Sequence, residues 1–128
     1  MKESKLTKYT LLGCTLVLIA YFATSARADE AGDVAQIASI CAGTNALVAQ
    51  KTTHEFAAQQ IQVQADWWFS FLEEWVGDKD FAMTLTTNVM RDIQVKYNSG
   101  ALEWTALVDV GRQCAMARIE IEEESADE

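Results

Sequence analysis

The chain has 128 residues, half of them hydrophobic, with 19 acidic side chains against 10 Lys and Arg and a formal net charge of −9. So acidic a surface excludes nucleic acid and anionic lipid as natural partners, because both require basic faces. A single domain of this length can bury a core, though a modest one.

Residues 1–28 follow the three-part pattern of a secretory signal peptide. Lys2, Lys5 and Lys8 lead, an apolar run from Leu11 to Thr24 follows, and Ala26-Arg27-Ala28 supplies the small residues of a cleavage site. The run falls short of the ~20 residues that a spanning helix needs. Leu11-Leu12-Gly13-Cys14 resembles a lipoprotein box, but the hydrophobic segment follows Cys14 instead of preceding it. Cys14 therefore reads as a small apolar residue of the export segment. Cleavage after Ala28 would leave residues 29–128 as one domain with six basic and eighteen acidic residues, a net charge of −12. The expected location is exported: periplasmic in a Gram-negative bacterium, otherwise secreted, with no stable membrane anchor in the mature form. N-terminal sequencing of the exported protein is expected to read Asp-Glu-Ala-Gly. A product that keeps Leu11–Thr24 and stays in the inner membrane would overturn this.

After Ala28 the chain is rich in Ala, Gln, Glu and Leu and has no proline, a composition that favours helix. No stretch alternates with period two long enough to argue a strand. Four helices are predicted, at about 30–50, 53–76, 79–98 and 101–123. Thr52 with Glu55 fits a capping box for the second. Gly77 stops that helix and Asp78 caps the third. Asn98-Ser99-Gly100 marks the last joint. Short joints between helices of matched length imply antiparallel neighbours, so the predicted fold is a small all-α up-down four-helix bundle.

Each helix carries an apolar stripe at ~100° per residue. In the first it runs through Val34, Ile37, Cys41 and Val48, with Asn45 among them. In the fourth it runs through Leu107, Val110, Cys114 and Ile121, with Gly111 and Ala115 beside it as small residues that permit close approach. The two cysteines of the mature chain, Cys41 and Cys114, read as a disulfide in an exported protein. Both lie mid-helix on apolar faces, and the first and last helices of an up-down bundle are antiparallel neighbours, so the two positions meet at one height.

The stretch ADWWFSFLEEWV, residues 65–76, packs three tryptophans and two phenylalanines into a dozen positions. On a helical wheel they cover about half the circumference, with Asp66, Ser70, Glu73 and Glu74 opposite. A helix lying on a membrane would carry basic residues on its polar side, and this one carries acids. Aromatics at helical spacing are first of all core, with Trp68, Leu72 and Trp75 expected inside and Phe69 at the edge of the arc. A pocket or partner surface built from Trp67, Trp68, Phe69 and Trp75, together with Arg118, is the functional reading of the same residues. Arg118 reads more simply as a side chain that snorkels at the bundle end. Asn45 reads as a hydrogen-bonded core residue.

Catalytic chemistry has little to stand on. His54 is the one histidine, so no zinc-ligand spacing exists. Met83, Met90 and Met116 could in principle join it as haem ligands, but methionine at such positions is a gap filler. No Gly-x-Ser-x-Gly elbow is present, and no pair of carboxylates faces an apolar cleft by spacing. No cofactor and no enzymatic activity are expected. By elimination the reading is a non-enzymatic interaction protein of inhibitor, immunity, adaptor or exclusion type with a protein partner, for which a cationic one suits the charge. The alternatives are a carrier of a small apolar ligand between helices and an enzyme of unrecognised type. The last nine residues, EIEEESADE, hold six acids and read as a frayed, solvated tail over about 120–128.

Overall fold

The computed structural model describes residues 30–126, with side chains from residue 34 onward. The segment expected to be a signal peptide, the expected cleavage site and Cys14 lie outside the described residues. Four helices follow in order: α1 Glu30–Lys51, α2 Glu55–Val76, α3 Lys79–Asn98 and α4 Trp104–Ala126. They form the up-down bundle, and no strand occurs among the described residues.

Local chemistry explains most of the boundaries. Gly77 adopts a left-handed φ of 73° and its N–H donates to the Glu73 carbonyl at 2.9 Å, ending α2. One residue on, the Asp78 carboxylate accepts from the Phe81 N–H at 3.1 Å and opens α3. Gly100, with φ 85°, turns the chain out of α3.

Two joints differ from expectation. The N-cap of α2 is His54, not Thr52: its Nδ1 accepts from the Ala57 N–H at 3.3 Å. Thr52 instead donates its hydroxyl back to the Val48 carbonyl at 2.6 Å and closes α1. The fourth helix starts at Trp104, three residues late. Ala101 and Leu102 first donate to the Lys96 carbonyl at 2.8 and 3.1 Å, and Leu102 is buried there as a plug. At the far end α4 stays helical to Ala126, and Ile121, 6% exposed, holds it down. Residues 120–126 of the acidic run are thus helix where a frayed tail was expected.

The core is organised around α1. From Val34 to Ala49 only Ala35, Gln36 and Ala46 are partly exposed; every other residue is buried. A helix of small, mostly apolar residues that is buried on nearly all sides, with Ser39, Thr44 and Asn45 among the buried residues, belongs at the centre of a domain rather than on its rim. It packs most extensively on α2, then on α3, and less on α4. Asn45 sits inside with its amide donating to the Cys41 carbonyl at 2.8 Å.

The close pass of α3 depends on Gly43. A Cβ there would lie 2.9 Å from Val89 Cγ1 and 3.3 Å from the Thr86 carbonyl oxygen. At Gly111, which the sequence singled out, a Cβ would meet only Asn45 Oδ1 at 3.4 Å, an ordinary contact. Gly43→Ala is therefore expected to lose ~1–3 kcal/mol through overpacking. Gly111→Ala should be neutral or slightly stabilising through better helix propensity. Denaturant titration of the pair is the check, and equal losses at both positions would refute the packing assignment.

α4 docks through a narrow seam. Its buried residues are Leu107, Val110, Cys114, Ala117 and Ile121, alternating three and four apart as in a coiled coil. The seam lies on α1, while α4 barely approaches α2 and α3. Midway along it Cys41 and Cys114 form a disulfide with Cα atoms 5.7 Å apart, both residues fully buried.

Candidate functional site

The last three turns of α2 divide their aromatics between two jobs. Trp68 and Leu72 are 1% and 0% exposed and pack in the core. Beside them, Trp67, Phe71 and Trp75 repeat every four residues and stay half-buried. The Trp67 and Phe71 rings stack at 5.5 Å with 6° between planes, and Phe71 and Trp75 at 6.2 Å with 21°. Trp68 meets Trp67 edge-on at 5.0 Å and Phe71 at 5.7 Å, supporting the row from below. Such pairs add ~0.5–1.5 kcal/mol beyond their buried area.

Arg118 from α4 completes the row. Its guanidinium carbon lies 4.9 Å from the Trp67 ring centre, and its Nε donates to Glu122 at 3.1 Å. The side chain is 23% exposed. Its charge thus rests on an indole face and links two helices whose backbones hardly meet.

Of the residues singled out from sequence, Trp67, Trp75 and Arg118 come together at this row. Trp68 lies beneath it, out of reach of solvent. Phe69 projects from the other flank of α2, since it stands two residues from Trp67 on the helix, and is half-buried there. Trp75, expected fully inside, is half-buried in the row. His54 is exposed at the start of α2 and serves as its cap; Met83 and Met116 are 49% and 62% exposed.

Sequence reasoning passed over three contributors. Phe71 bridges Trp67 and Trp75, which the four-residue spacing alone could have shown. Val63 (54% exposed), one turn before Trp67, extends the row along α2, and Ile119 (54%) borders Arg118 on α4. Helical geometry puts both on the solvent side of the Trp67–Arg118 contact. That could be seen only once Arg118 of α4 was known to reach Trp67 of α2.

The charges are distributed unevenly along the bundle. Chain reversal brings the second halves of α2 and α4 and the start of α3 to one end. Between Asp66 and Asp80, and from Arg118 to Glu124, this end carries nine carboxylates against Lys79 and Arg118. The other end is balanced, with Glu55, Asp92, Glu103 and Asp109 facing Lys51, Arg91, Lys96 and Arg112. Neither α2 nor α4 has a basic residue in its last turn. Glu73, Glu74, Glu123 and Glu124 therefore sit at the negative ends of helix dipoles, a locally unfavourable arrangement. The surface ion pairs Arg112–Asp109 at 2.9 Å and Lys96–Asp92 at 3.9 Å belong to the balanced end and are open to solvent on at least one partner, so they add little.

At that balanced end an open recess of about 710 Å³ is lined by residues from Gly100 to Arg112. Trp104 meets Tyr97 at 6.4 Å on its border, and the Lys51 ammonium stands 5.1 Å above the Tyr97 ring. Among the described residues no group of three or more His, Cys, Asp or Glu could hold a metal ion. No helix there is long and apolar enough to cross a membrane. Comparison with protein-family models, curated proteins and solved structures finds no match to the chain.

Proposed function

We propose that this protein is an exported, non-enzymatic interaction protein, of inhibitor, immunity, adaptor or exclusion type, that engages a protein partner through the flank where Arg118 of α4 reaches the aromatic row of α2. The observation that carries the reading is the half-open row of Trp67, Phe71 and Trp75 with Arg118 stacked at its end. Tryptophan and arginine are the residue types that dominate binding energy at protein interfaces, and they do so where a packed layer beneath holds them rigid. Trp68 supplies that layer here. The N-terminal signal pattern and a disulfide compatible with an oxidising compartment support export.

A photo-crosslinking residue at Val63, compared with one at Val95 on the outer side of α3, tests the surface in the native host. A discrete protein adduct at Val63 and none at Val95 is the expected result. A small apolar molecule recovered in complex with the protein, without a protein adduct, would replace this reading with that of a carrier.

A further inference from the structure

Resting on that reading, we infer that the α2–α4 flank receives a cationic amphipathic helix of the partner, its apolar side on the aromatic row and its basic residues over the acidic end. Two features on the same surface point to this occupant. The first is shape and polarity. Val63, Trp67 and Phe71 on α2 and Ile119 on α4 expose apolar surface on either side of a junction where the two backbones scarcely approach each other. Anchors spaced by helical turns suit a helix laid alongside.

The second feature is charge, and it has a direction. Along the exposed face of α2, beside the row that ends at Trp75, the surface passes from Val63 to Glu74, and along α4 from Ile119 to Glu123 one turn later. Both helices run the same way, so both walls turn from apolar to acidic toward the same end. A partner helix that changes from apolar to basic along its length matches both walls at once. A second copy of this chain would set acidic end against acidic end if laid parallel, and acidic wall against apolar wall if laid antiparallel, and an anionic bilayer would be repelled by the acids.

The test uses the purified oxidised protein and two synthetic helical peptides about five turns long. One carries leucines on one face and lysines on the other; its counterpart has glutamate for every lysine. Calorimetry should detect binding of the lysine peptide and none of the glutamate peptide, with affinity falling as salt screens the charges. Glu74→Lys with Glu123→Lys should weaken binding by about tenfold or more. Val63→Asp with Ile119→Asp should do the same, while Val95→Asp leaves it unchanged. All these positions are exposed, and an unaltered unfolding midpoint confirms that each variant is folded. Absence of binding, equal binding of both peptides, or indifference to Val63→Asp with Ile119→Asp would overturn the inference. So would dimerisation through Val63 or preferential binding to phosphatidylglycerol vesicles. A crosslinked partner segment at Val63 without basic residues also overturns it, yet leaves the protein-partner reading intact. The absence of any protein adduct removes that broader reading instead.

Discussion

Replacing either Cys41 or Cys114 with serine is expected to lower the stability of the domain by on the order of 4 kcal/mol. The bridge joins residues 73 apart in sequence, so its loss frees a long loop in the unfolded chain. The size of this effect follows from the architecture as well as from loop entropy. α4 rests on α1 through one narrow seam, with little support from α2 or α3. Small domains have few kcal/mol to spare, so the loss is a large share of the total. Both single variants should fall by similar amounts, and the double variant should be no worse than either, since all three lack the same link. Denaturant titration under non-reducing conditions checks this, together with mass analysis of the native protein. Two free thiols in protein from an oxidising compartment would sink both the bridge and this account of how α4 is held.

The second large effect belongs to Trp68. At 1% exposure it is the largest fully buried side chain, and Trp68→Ala should lose ~3–5 kcal/mol. Its indole N–H has no acceptor among the described residues. Trp68→Phe removes that unpaired donor while keeping most of the ring volume, so it should lose clearly less than the alanine variant. Trp75→Ala, in the half-buried row, should lose roughly 1–2 kcal/mol. An unfolding midpoint for Trp75→Ala as low as that for Trp68→Ala would mean that the row is core throughout, leaving no aromatic surface to bind with.

Much of the fold was legible because local chemistry and tertiary structure agree. Gly77 followed by Asp78 stops one helix and starts the next by backbone geometry and capping alone. The cysteines fell on apolar stripes at matching heights, so topology followed from periodicity. The failures came where local signals compete. Thr52 and His54 can each accept a hydrogen bond from a helix N-terminus, and the choice depends on where α1 ends, which Thr52 decides by bonding backward to Val48. The central place of α1 was hidden because a helix of small, mostly apolar residues has no strong stripe to read. Gly43 was missed for the same reason, since its neighbour α3 is remote in sequence. At the candidate site the aromatic run was evident, but the exposed half of it was not. Trp67 and Trp68 are adjacent in sequence, and only packing against α1 and α4 gives one to the interior and the other to the surface. The uneven charge emerges once alternate helices are reversed, because the acids then collect at one end.

The complete burial of both cysteines also governs how fast the bridge can be cut. Thiol–disulfide exchange needs a thiolate in line with one of the two sulfurs, and neither cysteine is reachable in the closed domain. A reductant must wait until α4 lifts from its seam. With enough dithiothreitol, reduction should cease to depend on reductant concentration and run at the opening rate of that one helix. At lower concentration it reports the population of the open form. The disulfide is thus a built-in clock for motion at the α1–α4 seam, and it can be read without any label.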